Sequence, residues 1–247
     1  MLGEKHPLAR EEVMTALRCL KAVHSSAIED KAVDRVFLQI LLHGAGIERK
    51  ERISRRYGNA ESELQGQEAL LKWLEAEARG QQPFSISLFL KMHRMLFEKS
   101  TPESAGRFRE GEARISGMKH RPPHHSQIPE ALFQHLEGIN ASLAENRVES
   151  GESMLRVLRD SAQVHYLVAH VHPFEDGNGR VARAAGDYAM LMHGFYYDVI
   201  MTDYRDVYLD SLEASTWSDT SPLYHFLEFS YLETLDRISG FFRLIGN

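Results

Sequence analysis

The chain has 247 residues, 43% of them hydrophobic, enough apolar material to fill the core of one large domain or two small ones. Its formal net charge of −6 argues against a nucleic-acid-binding module. A single cysteine, Cys19, excludes an internal disulfide and fits a reducing compartment.

The opening stretch, MLGEKHPLAREE, has no apolar run behind its first charges and does not read as a signal peptide. No later apolar run is long enough to cross a bilayer. The expectation is a soluble protein of the cytoplasm or another intracellular compartment, with no membrane or nucleic acid among its partners.

Helical periodicity dominates the rest. Residues 11–23 space Val13, Leu17 and Leu20 as one helix face, where Cys19 is expected as a small core residue. Residues 33–42 repeat the pattern with Val33, Val36, Phe37, Ile40 and Leu41, and Gly44 and Gly46 break it. The charge run ERKERISRR at 48–56 reads as a solvated helix end or loop. Residues 61–78 carry Leu64, Leu70, Leu71 and Leu74 and stop at Gly80. Residues 85–97 place Ile86, Phe89, Leu90, Met92, His93 and Leu96 at helical spacing. The apolar faces of 33–42 and 86–97 are candidates for a homodimer interface.

Residues 106–129 break the pattern. They are rich in Gly, Pro and His and hold a strand-like piece at 112–116, which predicts a loop or small β-hairpin projecting from a helical body. Its histidines, including His124 and His125, lack a Cys or Glu at ligand spacing, so a polar loop is expected over a metal site. Helices follow at 129–143, 154–170 and 181–193, and 221–244 holds one or two more. The fold class is all-α. Residues 1–80 are expected to form an N-terminal helical region and 81–247 the core, together one compact unit.

The segment HPFEDGNGRVAR, residues 172–183, carries the chemistry. Pro173 stops the preceding helix, and Gly177 and Gly179 permit a tight turn into the next. Unpaired amides at a helix start form an anion site, to which Asn178 can add a side-chain donor. Arg180 and Arg183 are three apart and can share a helix face around phosphate charge. Asp176 is a carboxylate of the kind that holds Mg²⁺ jointly with substrate phosphates. An unperturbed imidazole titrates at about 6.5, so His172 can accept a proton near neutral pH. A calcium loop fails because Phe174 falls at the first ligand position. Zinc on His165, His170 and His172 fails on spacing. An ordinary turn leaves His172, Arg180 and Arg183 unexplained.

This string resembles the Fic signature, HxFx(D/E)GNGRxxR, at every fixed position. The resemblance implies a helical Fic-type fold with a small β-hairpin flap and transfer of AMP from ATP, with Mg²⁺ or Mn²⁺, to a Ser, Thr or Tyr hydroxyl of a target protein or of the enzyme itself. His172 would be the base, Asp176 the metal ligand, and Gly177, Asn178, Gly179 and Arg180 the cradle for the α- and β-phosphates. Arg183 would grip the γ-phosphate. Residues 106–129 resemble the flap, with Ile115, Ser116, Gly117 and Met118 docking the target as an added strand. Tyr208-Leu209 is similar to a paired-tyrosine position near the adenine, of which only Tyr208 is kept, and Thr216 stands where Asn is frequent.

Residues 24–30, HSSAIED, resemble the family's inhibitory motif (S/T)xxxE(G/N), with Asp30 in place of Gly or Asn. Ser25 and Glu29, one helical turn apart, would share a face, and Glu29 would pair with Arg183. Glu29 would thereby restrain the enzyme, or orient a water that removes AMP from a modified protein. Transfer of another phosphate-containing group, and an idle interaction module, are the remaining readings.

Overall fold

The structure, a computed structural model, describes residues 7–29, 47–115, 119–146 and 151–245. The predicted helix at 33–42 lies outside them. Eight α-helices are present among the described residues: α1 (Pro7–Glu29), α2 (Ile47–Ala78), α3 (Ile86–Phe97), α4 (Ile128–Glu145), α5 (Gly151–Val171), α6 (Asn178–Met192), α7 (Arg205–Ala214) and α8 (Ser221–Ile245). The charge run 48–56 belongs to the first turns of α2.

Local chemistry sets several ends. Ser85 caps α3, its hydroxyl accepting from the Leu88 amide at 3.2 Å. Pro129 opens the first turn of α4, where a missing N–H costs nothing. No strand forms among the described residues, so the small β-hairpin expected within 106–129 is not seen, and residues 112–115 are irregular backbone.

The paired helices α5 and α6 form the centre, and the others pack around them. Helix α6 is buried on every side from Val181 to Met190, as its run of Ala and Gly between larger side chains allows. One apolar cluster joins α1 through α6, including Leu17, Leu71, Phe89, Leu132, Leu167 and Ala185. A second joins the far side of α5 to α7 and α8 through Val157, Tyr208, Leu223 and Tyr231. The apolar face of α3 (Leu88, Phe89, Met92 and Leu96) is buried in the first cluster. Cys19 is exposed and not a core residue.

Helix α1 is fastened at three levels. Arg18 pairs with Glu75 of α2 at 2.6 Å. Lys21, buried, pairs with Asp187 of α6 at 2.6 Å and also donates to the Asp198 carbonyl. At its C-terminal end, Arg205 donates to the Ile28 carbonyl at 2.7 Å, a cation meeting the negative end of a helix. These contacts deliver Ser25 and Glu29 to the N-terminal end of α6.

Candidate active site

The site is built on the loop 172–177 between α5 and α6. His172 follows the last turn of α5 with φ +49°, its amide donating to the Val168 carbonyl at 3.0 Å. That is the left-handed ending usually given to Gly, here imposed on a histidine and followed by a proline. Phe174 turns inward and stacks on His93, rings 4.0 Å apart. The Gly106 amide donates to His93 Nδ1 at 2.9 Å, so Nε2 carries the proton and donates to the Asp176 carbonyl at 3.1 Å. Burial pushes the His93 pKa down to about 4, which keeps this link neutral.

Gly177 has φ +76°, and a Cβ there would stand 2.3 Å from a ring carbon of Phe97, so the turn admits only glycine. Asn178 corrects an expectation. Its amide accepts from the Phe174 amide and donates to the Phe174 carbonyl, each at 2.8 Å. It is a staple across the loop, 3% exposed, and not a free donor for a ligand.

Helix α6 then begins, and Val181 N is already bonded to the Gly177 carbonyl at 2.9 Å. The amides ahead of it have no carbonyl one turn back and favour an anion. An anion is there: a Cβ on Gly179 would meet Glu29 Oε1 at 2.3 Å and Arg183 Nη1 at 3.1 Å. Arg183 donates to Glu29 Oε1 at 2.7 Å, to the Ser25 hydroxyl at 2.9 Å and to the Ser25 carbonyl at 2.7 Å. Arg183 is buried, and Tyr208 lies under its guanidinium at 5.8 Å. Burial pulls the Glu29 carboxyl upward, but Arg183, with Arg180 and Arg205 behind it, holds its pKa below the ordinary value.

Arg180 does not join Arg183 around one anion. Its guanidinium pairs with Glu63 of α2, lies 3.3 Å from Asp176 Oδ2 and stacks over Phe97 at 4.7 Å. Asp176 accepts from the Gly177 amide, and its side chain is 69% exposed. A single exposed carboxylate fits a Mg²⁺ or Mn²⁺ whose other ligands come from a substrate and water. No group of three metal-ligating side chains exists among the described residues.

His172 is half-buried. Its Nδ1 lies 3.4 Å from the Ala169 carbonyl, which favours the tautomer protonated there and leaves Nε2 to accept. Burial lowers its pKa, the Ala169 carbonyl and Glu29 oppose that shift, and Arg109 and His120 reinforce it. The neutral form of the ring is therefore favoured over the imidazolium.

A cavity of about 390 Å³ opens beside α5 and α7, walled by Ile115, His170, Leu212, Thr216 and Trp217 among others. Tyr208 is not in its wall. It is 1% exposed and bonded through its hydroxyl to His165 at 2.7 Å, so it supports Arg183 from below and does not face a base. Of the expected docking residues, Ile115 lines the cavity, and Ser116, Gly117 and Met118 lie outside the described residues. His170 stacks on His120 at 3.5 Å and meets Trp217 edge-on, an aromatic wall and no metal site. The residues that sequence reasoning missed are Arg109, His93 and Glu63. His93 sat in a helical apolar pattern, and neither Arg109 nor Glu63 belongs to any motif.

The Fic/DOC family profile matches residues 83–190. The chain is 25% identical over 234 residues to the protein adenylyltransferase Fic of Culex quinquefasciatus, covering 88% of this chain and 45% of that protein. It is 27% identical over 177 residues to the protein of the same name in Aedes aegypti, covering 71% and 33%. The chain thus spans less than half the length of these relatives. Its fold is similar to Fic-1 of C. elegans, with TM-score 0.69, 22% identity and coverage of 97% of this chain and 67% of that one. It is also similar to a Fic domain-containing signaling protein of Bacteroides thetaiotaomicron, with TM-score 0.71, 17% identity and coverage of 94% and 89%. Residues 83–190 thus match the Fic/DOC profile, and the chain is similar in sequence to proteins named Fic and in fold to Fic structures.

Proposed function

We propose that this chain is a protein adenylyltransferase, moving AMP from Mg·ATP to a Ser, Thr or Tyr hydroxyl of a target protein and restrained by Glu29. The observation that carries this reading is an anion seat made by Gly179 and Arg183, filled by the chain's own carboxylate, a few residues from a neutral imidazole. The names of the curated relatives point the same way.

In this reading the triphosphate takes the seat that Glu29 holds. The first amides of α6 bind phosphate oxygens, and Arg183 grips the γ-phosphate. His172 Nε2 takes the proton of the incoming hydroxyl, whose oxygen attacks the α-phosphorus. The bond from that phosphorus to the bridging oxygen breaks, and pyrophosphate leaves. Asp176 would hold Mg²⁺ or Mn²⁺, which neutralises phosphate charge when bound. The cavity lined by Leu212 and Thr216 would receive the base. Residues 1–80 would supply the restraint and 81–247 the catalysis. The reaction would run inside the cell, as the single cysteine suggests.

Incubation with α-labelled and γ-labelled ATP in parallel, followed by mass spectrometry of the labelled protein, tests the reading. Self-labelling serves where no target is known. Label from the α-position alone supports it, and γ-label would redirect it to kinase chemistry. A second activity, removal of AMP from a modified protein, is favoured by the side chain of Glu29, 38% exposed and able to orient a water. Release of AMP from a modified target with Mg²⁺ or Mn²⁺ tests it.

A further inference from the structure

We infer that Arg109 is the positioning residue for His172, its guanidinium locking the histidine's carbonyl to two separate points of the 106–124 segment. The inference rests on the reading of His172 as the base.

Arg109 Nε donates to the His172 carbonyl at 2.8 Å, Nη1 to the Gly111 carbonyl at 2.7 Å and Nη2 to the Pro123 carbonyl at 2.6 Å. Its own amide donates to the Pro173 carbonyl at 2.9 Å. Three carbonyls from three places meet one planar fork, a task suited to guanidinium and beyond a single ammonium. Arg109 is 3% exposed, and all three of its guanidinium nitrogens are engaged by backbone, so it serves no bound anion.

The loop needs such a clamp. His172 is held at φ +49°, a backbone state that a β-carbon disfavours and that persists only where neighbours impose it. The bond to its carbonyl, with the one to Pro173, fixes the peptide that sets the imidazole's direction. The bonds to the Gly111 and Pro123 carbonyls tie the same guanidinium to two further points of the backbone. The titratable groups acting on the ring are Arg109, Glu29 and His120. Arg109 therefore also disfavours the imidazolium, a second effect separable from the first.

The test is nitrogen-15 NMR titration of His172, with kcat and KM for ATP, in the whole chain and in Arg109→Lys and Arg109→Gln. In Arg109→Gln, kcat should fall at least tenfold with KM for ATP within twofold, and the His172 midpoint should rise. In Arg109→Lys the midpoint should stay near wild type while kcat is still lowered. Wild-type kcat in either folded variant, a loss confined to KM for ATP, or an unmoved midpoint in Arg109→Gln overturns the inference. If Arg109→Gln does not fold, wild-type kcat in Arg109→Lys overturns it alone. If the wild-type chain transfers no AMP, the adenylyltransferase reading fails, and the midpoints still decide whether Arg109 governs His172.

Discussion

Glu29 Oε1 lies 2.7 Å from Arg183 Nη2 and also covers the open face of Gly179. One oxygen from α1 therefore occupies both halves of the anion seat at the start of α6. Arg183 is engaged twice more by Ser25, so helix α1 and not a lone side chain fills the position.

Removing that carboxylate should raise transfer. A charge-assisted hydrogen bond is worth roughly 1.5–3 kcal/mol. Freed for a γ-phosphate, Arg183 should increase productive ATP binding by about ten- to a hundredfold in Glu29→Gly. Labelling with α-labelled ATP measures it, and equal labelling by both proteins counts against restraint by Glu29.

His172→Ala should abolish transfer, with a loss of about 10²- to 10⁴-fold expected for a general base, while ATP affinity holds. The pH dependence has a definite sign. Because burial depresses the His172 pKa, the ring stays neutral below the ordinary midpoint of about 6.5. The acid limb of kcat/KM should fall below that pH and disappear with the imidazole. A limb well above pH 7 would contradict the neutral base.

Gly179→Ala should separate the seat from the fold. The added methyl meets chiefly the end of the Glu29 side chain, which is part-exposed and can swing aside, so the thermal midpoint should move little. A phosphate pressed against the amides has no such freedom. In a Glu29→Gly background, calorimetry should show ATP affinity reduced at least about tenfold, or 1.4 kcal/mol. Unchanged affinity would place the phosphates elsewhere.

Lys21→Met should both destabilise and derepress. Lys21 is the buried cation between Asp187 and the Asp198 carbonyl. Burial already pushes the carboxyl of Asp187 up to about 6 and that of Asp198 up to about 7, and Lys21 opposes both shifts. Breaking one side of a buried pair costs about 3–5 kcal/mol. Urea unfolding would measure the loss. Self-labelling should rise in any folded fraction, because α1 loses its hold on α6.

Much of this was legible in the chain. Apolar spacing placed α3, α4, α5, α6 and α8 within a few residues, because each buries one continuous stripe or more. Gly177, Gly179 and Pro173 announced the loop, since their backbone preferences are local. Ser25 and Glu29 announced a shared face through their spacing. Helix α7 went unmarked: only Tyr208, Ser211 and Leu212 of it are buried, too short a stripe to stand out.

What tertiary structure alone decided were the partners. Asn178 and Arg180 sit in the motif beside Arg183, yet Asn178 staples Phe174, Arg180 turns to Glu63, and only Arg183 meets Glu29. Tyr208 props an arginine where a base contact was expected. Arg109, far from the motif in sequence, holds the His172 carbonyl. Backbone preference and periodicity are properties of neighbouring residues and can be read along the chain. Which donor finds which acceptor depends on how helices distant in sequence are brought together, and that is settled only when the core closes around α5 and α6.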